Sequence, residues 1–210
     1  MAGQPSTAIL LLDKPTKDHL PSLSTISARA FHPVNPYWRR AIPDTPLTRD
    51  WWIKVFTDYI NNEYSYALTA TDPQEPNKVL GVLLLSYNDP SAKRAGTWAD
   101  FEITPDHDAE AAAAMLGAGA DAHPRLMKGN SHLVVEFFGV DHAFKGHGIG
   151  QKLLRKACEI AGGGGYDTFV CANGSAAGFY ERFGFEVRER KVMPGEEKYV
   201  ECMMVRYSQG

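Results

Sequence analysis

Residues 131–161 constrain the fold more than any other stretch. They read SHLVVEFFGV, then DHAFKGHGIG, then QKLLRKACEIA. The first piece is rich in Val, Phe and Leu and bounded by polar residues, as a buried strand is. The last places Ile149, Leu153, Leu154, Ala157, Cys158 and Ala161 at helical spacing, so one face is apolar. Between them lies Lys145-Gly146-His147-Gly148-Ile149-Gly150. A strand that feeds a glycine-rich turn and then a helix is a ready anion site. The first N–H groups of the helix have no internal partner, the helix dipole favours negative charge, and glycine lets a phosphate approach the main chain.

Two common phosphate loops do not fit. Gly150 is followed by Gln151 and Lys152, so there is no Gly-Lys-Ser/Thr and no hydroxyl for Mg²⁺. The spacing is also not GxGxxG, and no early βαβ unit surrounds it. Taken alone, the loop is equally an ordinary tight turn. A second segment decides between these. Four glycines, Gly162 to Gly165, end the helix, and Tyr166 opens a short strand, YDTFVCA. Then comes Asn173-Gly-Ser-Ala176-Ala-Gly-Phe179-Tyr180-Glu-Arg-Phe-Gly184-Phe185.

The loop resembles the pyrophosphate loop of the GNAT superfamily of N-acetyltransferases, (Gln/Arg)-x-x-Gly-x-(Gly/Ala). Lys145 stands where Gln or Arg is usual, with Gly148 and Gly150 at the small positions. The later segment resembles the superfamily signature Asn-x-x-Ala-x-x-Phe-Tyr…Gly-Phe at each fixed position. The resemblance is strongest over residues 131–207; upstream it rests on element order.

It implies an α/β fold: a twisted mixed sheet of about six or seven strands, helices on both faces, and a V-shaped splay between two central parallel strands. Acetyl-coenzyme A is then the acetyl donor, with no metal. Backbone groups of Phe138, Gly139 and Val140 pair with the pantetheine arm like an added strand. N–H groups of Lys145, Gly146, His147, Gly148, Ile149, Gly150 and Gln151 hold the pyrophosphate. Asn173, Ala176 and Phe179 complete the cofactor site. Tyr180 stands where the family places the acid that protonates the leaving thiolate. Packing of its ring beside Phe179 is its other reading.

The chemistry also requires a base, because an amine must be neutral to attack. Glu136 is the leading candidate. A carboxylate amid Val134, Val135, Phe137 and Phe138 is out of place unless it is paired or functional. The surrounding spacing is similar to that of spermidine/spermine acetyltransferases, which carry Glu here; puromycin acetyltransferase-like proteins are apolar at this position. A structural ion pair is the competing account of Glu136. His132, His142 and His147 are weaker candidates, expected to be solvated. Cys171 reads as a buried strand residue rather than a nucleophile.

The rest of the chain fits one domain over residues 1–210. Lys and Arg total 22 against 25 acids, a net charge of −3, which argues against a nucleic-acid binder held by its overall field. Cys158, Cys171 and Cys202 lack CxxC spacing and suggest buried thiols of a cytoplasmic protein. No run reaches membrane-spanning length. Residues 8–13 read as a strand and 17–31 as a helix. Residues 32–46, with four prolines, read as a loop. Thr48 reads as the cap of a second helix carrying Trp51 and Trp52, which are assigned to core packing. Residues 65–71 and 79–87 read as paired strands, and residues 108–127 as an alanine-rich helix in an insert, residues 88–130, of unassigned role. Within the insert, Trp98 reads as an anchor near the substrate entrance. Residues 186–192 and 199–206 read as a terminal hairpin. The expected partner is a small-molecule amine; a protein or peptide acetyltransferase and a non-catalytic coenzyme A-binding module are the alternatives. The oligomeric state is open, a homodimer included.

Overall fold

The computed structural model describes residues 10–12, 14–89 and 100–208. Seven strands form one sheet in the order β1-β2-β3-β4-β5-β7-β6. The strands are β1 (Leu10–Leu12), β2 (Ser65–Thr71), β3 (Val79–Asn88), β4 (His132–Val140), β5 (Asp167–Asn173), β6 (Glu186–Met193) and β7 (Glu196–Arg206). All neighbours are antiparallel except β4 and β5, the parallel pair at the centre. The helix that crosses between these two strands is what permits parallel pairing.

Among the described residues seven helices cover the sheet: α1 (Leu20–Ser24), α2 (Ile26–Phe31), α3 (Pro36–Ala41), α4 (Pro46–Asn61), α5 (Ala109–Met127), α6 (Ile149–Gly163) and α7 (Ala177–Glu181). One face packs α6 and α7, through Ile149, Leu153, Leu154 and Tyr180, onto Leu83, Leu133, Val170 and Met204. The other face packs α1 to α4 onto Val82, Leu84 and Phe137, and α5 onto Val134, Phe169, Met203 and Val205. Alternation of these residues along β3 and β7 divides the two cores, and along β4 the alternation changes phase at Glu136, so that Leu133 and Val135 face one core and Phe137 the other.

Several expectations shift by local chemistry. The helix expected over residues 17–31 is broken into a 3₁₀ turn (Lys17–His19), α1 and α2. The stretch read as a proline-rich loop contains α3. Asn35 caps it, accepting from the Trp38 N–H at 3.0 Å, and Pro36 occupies the first turn. The cap of α4 is Thr45, not Thr48; its hydroxyl accepts from the Thr48 N–H at 3.2 Å. Asp108 caps α5, its side chain accepting from the Ala111 N–H at 3.0 Å. Trp51 and Trp52 are core residues, as expected. Trp98 and residues 8, 9 and 13 lie outside the described residues.

Close approaches fix how the helices sit. A Cβ built at Gly81 would lie 2.8 Å from Ile149 Cγ2, so α6 rests directly on β3. A Cβ at Gly119 would lie 3.1 Å from Cys171 Cβ, so the glycine inside α5 lets that helix touch β5. Arg29 of α2 ion-pairs with Asp141 and also donates to the Val79 carbonyl at 3.0 Å, tying α2 to the end of β4. Among the described residues, no helix is long and apolar enough to cross a membrane.

We expect Gly81→Val to destabilise the fold by about 1–3 kcal/mol, the usual cost of overpacking a full core. Urea unfolding would measure it. A neutral effect would show that α6 can retreat from β3.

Candidate active site

The site begins where the central strands part. The β4–β5 ladder runs from His132↔Asp167 to Val135↔Val170 and stops there, although β4 continues to Val140 and β5 to Asn173. The other edge of β4 stays paired with β3, but its register slips: Leu85 faces Val135, Leu84 faces Phe137, and Glu136 is the extra residue. Such a bulge bends its strand and increases local twist. Beyond it, alternate peptide groups of β4 point into the gap with no strand to receive them.

Below the gap, Asp141 caps a short 3₁₀ turn (His142–Phe144), accepting from the Ala143 N–H at 3.0 Å. The chain then turns through Gly146 and Gly148, with φ of 87° and 76°, and enters α6. Glycine is required at both positions. The first hydrogen bond of α6 comes from Lys152 N to Gly148 O, so the N–H groups of Ile149, Gly150 and Gln151 are free of the helix ladder. Lys145 and His147 are exposed at the rim. A Cβ at Gly150 would lie 3.5 Å from Phe138 and 3.6 Å from Phe179, so a longer side chain there must turn into the gap.

A cavity of ≈ 160 Å³ runs through the parting. On the α6 side its wall includes Phe138, Ala176 and Tyr180. Tyr180 is buried and packed edge-on against Phe138 and Phe185, at 6.1 and 5.4 Å between ring centroids. Burial, helped by the Glu201 carboxylate nearby, pushes its phenol well above the usual range, so its proton is retained. Asn173 ends β5; its Oδ1 accepts from the Ser175 N–H and hydroxyl, both at 2.9 Å. Gly139 backs onto Ala30 of α2, and Val140 borders Gly81 and Gly150.

On the other side the wall is Phe31, Trp38, Phe137 and the α5 residues Met115, Leu116 and Gly119. Glu136 enters from β4 and accepts from the Ser86 hydroxyl at 2.6 Å. A second carboxylate, Glu201 on β7, enters the same cavity and is only 3% exposed. The Tyr199 hydroxyl donates to its Oε1, and the Cys171 thiol lies 3.7 Å from its Oε2. Burial pushes the Glu201 carboxyl up to about 7, against the pull of those two donors. The same burial drives the Cys171 thiol well above its usual value, the opposite of an activated nucleophile.

The sequence of residues 106–187 matches a family model described as an acetyltransferase (GNAT) domain. Over that segment the chain is similar to GNAT acetyltransferases. Its fold agrees over nearly the full length with solved structures. One is a mosquito arylalkylamine N-acetyltransferase-like protein, 16% identical, covering 95% of this chain and 100% of that one, TM-score 0.67. Another, from Corynebacterium glutamicum, is described as histone acetyltransferase HPA2 and related acetyltransferase; it is 18% identical over 96% and 97% of the two chains, TM-score 0.61. A third is Arabidopsis thaliana NAA60 with a bisubstrate analogue, 13% identical over 97% and 99%, TM-score 0.60. No curated protein matches the chain significantly.

This architecture brings Glu136, Phe138, Asn173, Ala176 and Tyr180 to one cavity. Gly148 and Gly150 stand in the loop below the gap. His132 departs from expectation: it is buried, not solvated, with its Nε2 2.6 Å from His123 Nε2 and its Nδ1 2.6 Å from the Asn130 carbonyl. Burial lowers its pKa, which favours the neutral imidazole. The insert is no mere edge decoration, since α5 forms one cavity wall. Sequence reading missed Glu201. The signal was present: on the alternating face Tyr199, Glu201, Met203, Val205, the carboxylate is the one charged member.

Glu201 gives a pH prediction. The folded carboxyl keeps its proton to about pH 7, whereas the unfolded one loses it near 4.5. Between those values the folded state binds more protons, so this group makes stability fall as pH rises, by about 3 kcal/mol in all. Glu201→Gln should remove that decline. Urea unfolding of both proteins between pH 4.5 and 8 measures the difference, and parallel curves would contradict a buried acid.

Proposed function

We propose that the protein transfers the acetyl group of acetyl-coenzyme A to a primary amine of a small molecule, by direct attack within a ternary complex. The cavity at the parted strands is the observation that carries this reading. It brings two carboxylates and Tyr180 together where β4 and β5 separate, and α5 lines its acceptor side. A protein substrate would need an open groove beside Trp51 and Trp52, and both are sealed in the core. The structural neighbours include proteins described as arylalkylamine N-acetyltransferases, and an aryl-bearing amine accords with the aromatic wall of Phe31, Trp38 and Phe137.

In this reading the pyrophosphate lies on the N–H groups of Gly146, Gly148, Ile149, Gly150 and Gln151, because those of Lys145 and His147, expected to join them, are bonded to the His142 and Phe144 carbonyls, and the pantetheine arm follows Phe138, Gly139 and Val140 as an added strand. Ala176, Phe179 and Asn173 line its course. The thioester then reaches the bulge, where main-chain N–H groups past Glu136 face the developing oxyanion. Glu136 takes a proton from the acceptor nitrogen, directly or through water. The nitrogen forms the C–N bond and the C–S bond breaks. The thiolate takes a proton from Tyr180, whose burial keeps it protonated until then, and the tyrosinate regains one that originates on the acceptor nitrogen as the tetrahedral intermediate collapses. Of the two protons an ammonium gives up, one ends on the coenzyme thiol and the other leaves through the carboxylate.

A panel of amines with acetyl-coenzyme A, read by free thiol, tests the activity directly; release without any amine dependence would contradict it. Coenzyme A should raise the melting temperature, since a ligand of the folded state stabilises it by mass action. Gly148→Glu and Gly150→Glu should abolish that shift by placing bulk and negative charge at the pyrophosphate; retained binding would displace the cofactor from this loop. Lys145→Gln should leave affinity within roughly tenfold, because a solvated ammonium adds about a kcal/mol or less.

Glu136→Gln should lower kcat/KM by roughly 10²- to 10⁴-fold, less at high pH where more of the amine is already neutral. Tyr180→Phe should lower kcat with coenzyme A binding kept. Steady-state kinetics across pH checks both. Losses of stability without losses of rate would assign the two side chains to structure.

A further inference from the structure

The cavity holds more charge than the transfer chemistry requires. Glu136 suffices as proton acceptor, yet Glu201 enters from the far strand and is almost fully buried. The groups around it are accounted for from each element. Cys171 of β5 and Tyr199 of β7 contact its oxygens, and both are neutral donors. Tyr37 of α3 stacks on Tyr199 at 4.7 Å, and Tyr180 of α7 lies across the parting. His123 of α5 and Glu136 of β4 share the cavity. Lys191 of β6 is the ladder partner of Glu201, but its Nζ sits 3.7 Å from Asp121 instead. Among the described residues, no Lys, Arg or His ion-pairs with Glu201.

A carboxylate so placed is costly as a structural feature. Burying an unpaired charge is penalised by several kcal/mol, and two neutral donors offset only part of it. A purely structural position on β7 would be served better by an apolar residue, as at Met203 and Val205 on the same face. The missing component is a cation that fits a small, aromatic-walled cavity. An alkylammonium supplies one positive charge and three N–H donors. Most alkylamines are in that form in neutral water, so the acceptor must bring a charge into the cavity or shed a proton first.

We propose that Glu201 is the counter-ion of the acceptor: it receives the amine as its ammonium and thereby selects strongly basic alkylamines over neutral compounds of the same shape. The proposal rests on the reading of the cavity as an acceptor site. It gives the two carboxylates separate work: Glu201 pairs with the incoming ammonium, and Glu136, at the thioester end, removes the proton. Arrival of the cation also draws the proton off Glu201, because an opposite charge at contact favours the ionised form. Binding of an ammonium should therefore strengthen as pH rises through about 7, where the free carboxyl ionises. A neutral ligand should show no such dependence.

The test uses two probes of one shape, 2-phenylethylammonium and 2-phenylethanol, titrated calorimetrically into the coenzyme A-bound protein at pH 6 and pH 8. The parent should bind the ammonium about tenfold or more tightly than the alcohol at pH 8, with the preference reduced at pH 6. Glu201→Gln should lose the preference and bind the alcohol as the parent does. Cys171→Ala, which keeps the carboxylate, should retain it. The melting shift with coenzyme A verifies that each variant is folded, and the pH dependence of the parent tests the proposal even if Glu201→Gln does not fold. A parent with no preference for the ammonium, or a folded Glu201→Gln that keeps it, would overturn the assignment. Failure of the acetyltransfer reading shows separately, as absence of amine-dependent thiol release.

Discussion

The structure depends on two parallel strands that stop pairing halfway. β4 and β5 share a ladder only to Val135↔Val170, and the residues beyond it part around a gap. Leaving strand edges unpaired inside a protein is unfavourable, because each buried N–H and C=O seeks a partner. The fold holds the gap open from both sides. The bulge at Glu136 bends β4 while β3 keeps its other edge. On the far side, β7 keeps β5 in place through a ladder that runs to Asn173↔Glu201. The result is an unfilled strand position with a loop of free N–H groups below it, a shape suited to an extended ligand with an anionic end.

That geometry also divides the chemistry between the two faces. Tyr180 reaches the gap from the α7 side, through aromatic packing with Phe138 and Phe185. The carboxylates reach it from the α5 side, where Gly119 lets the helix close down on Cys171. Burial acts in the same direction on both kinds of group. It holds the proton on Tyr180, so that the phenol stays available as a donor, and it raises the Glu201 carboxyl to about 7.

Much of this was legible in the sequence because it is encoded locally. Gly148 and Gly150 mark the loop, and the run from Asn173 to Phe185 marks the turn and helix after β5. The strands read as residues 65–71 and 79–87 fall within one residue of β2 and β3. Signals with two meanings were misread. The prolines of residues 32–46 suggested a loop, yet Asn35-Pro36 and Thr45-Pro46 are helix starts. Glu201 was hidden for another reason. Its meaning comes from β5, α3 and α5 meeting around it, contacts distant in sequence, and its immediate neighbours Val200 and Cys202 read only as a strand. The burial of His132 is of the same kind, since it depends on His123 from α5.

The central claim is that the parted edge of β4 is where the coenzyme lies. Amide hydrogen exchange with and without coenzyme A tests it most directly. The account predicts that the ligand slows exchange in the segment 136–140, at those amides that face the gap, and in the first turn of α6 at Ile149, Gly150 and Gln151. Protection confined to other regions, with these two segments exchanging as fast as in the free protein, would contradict it.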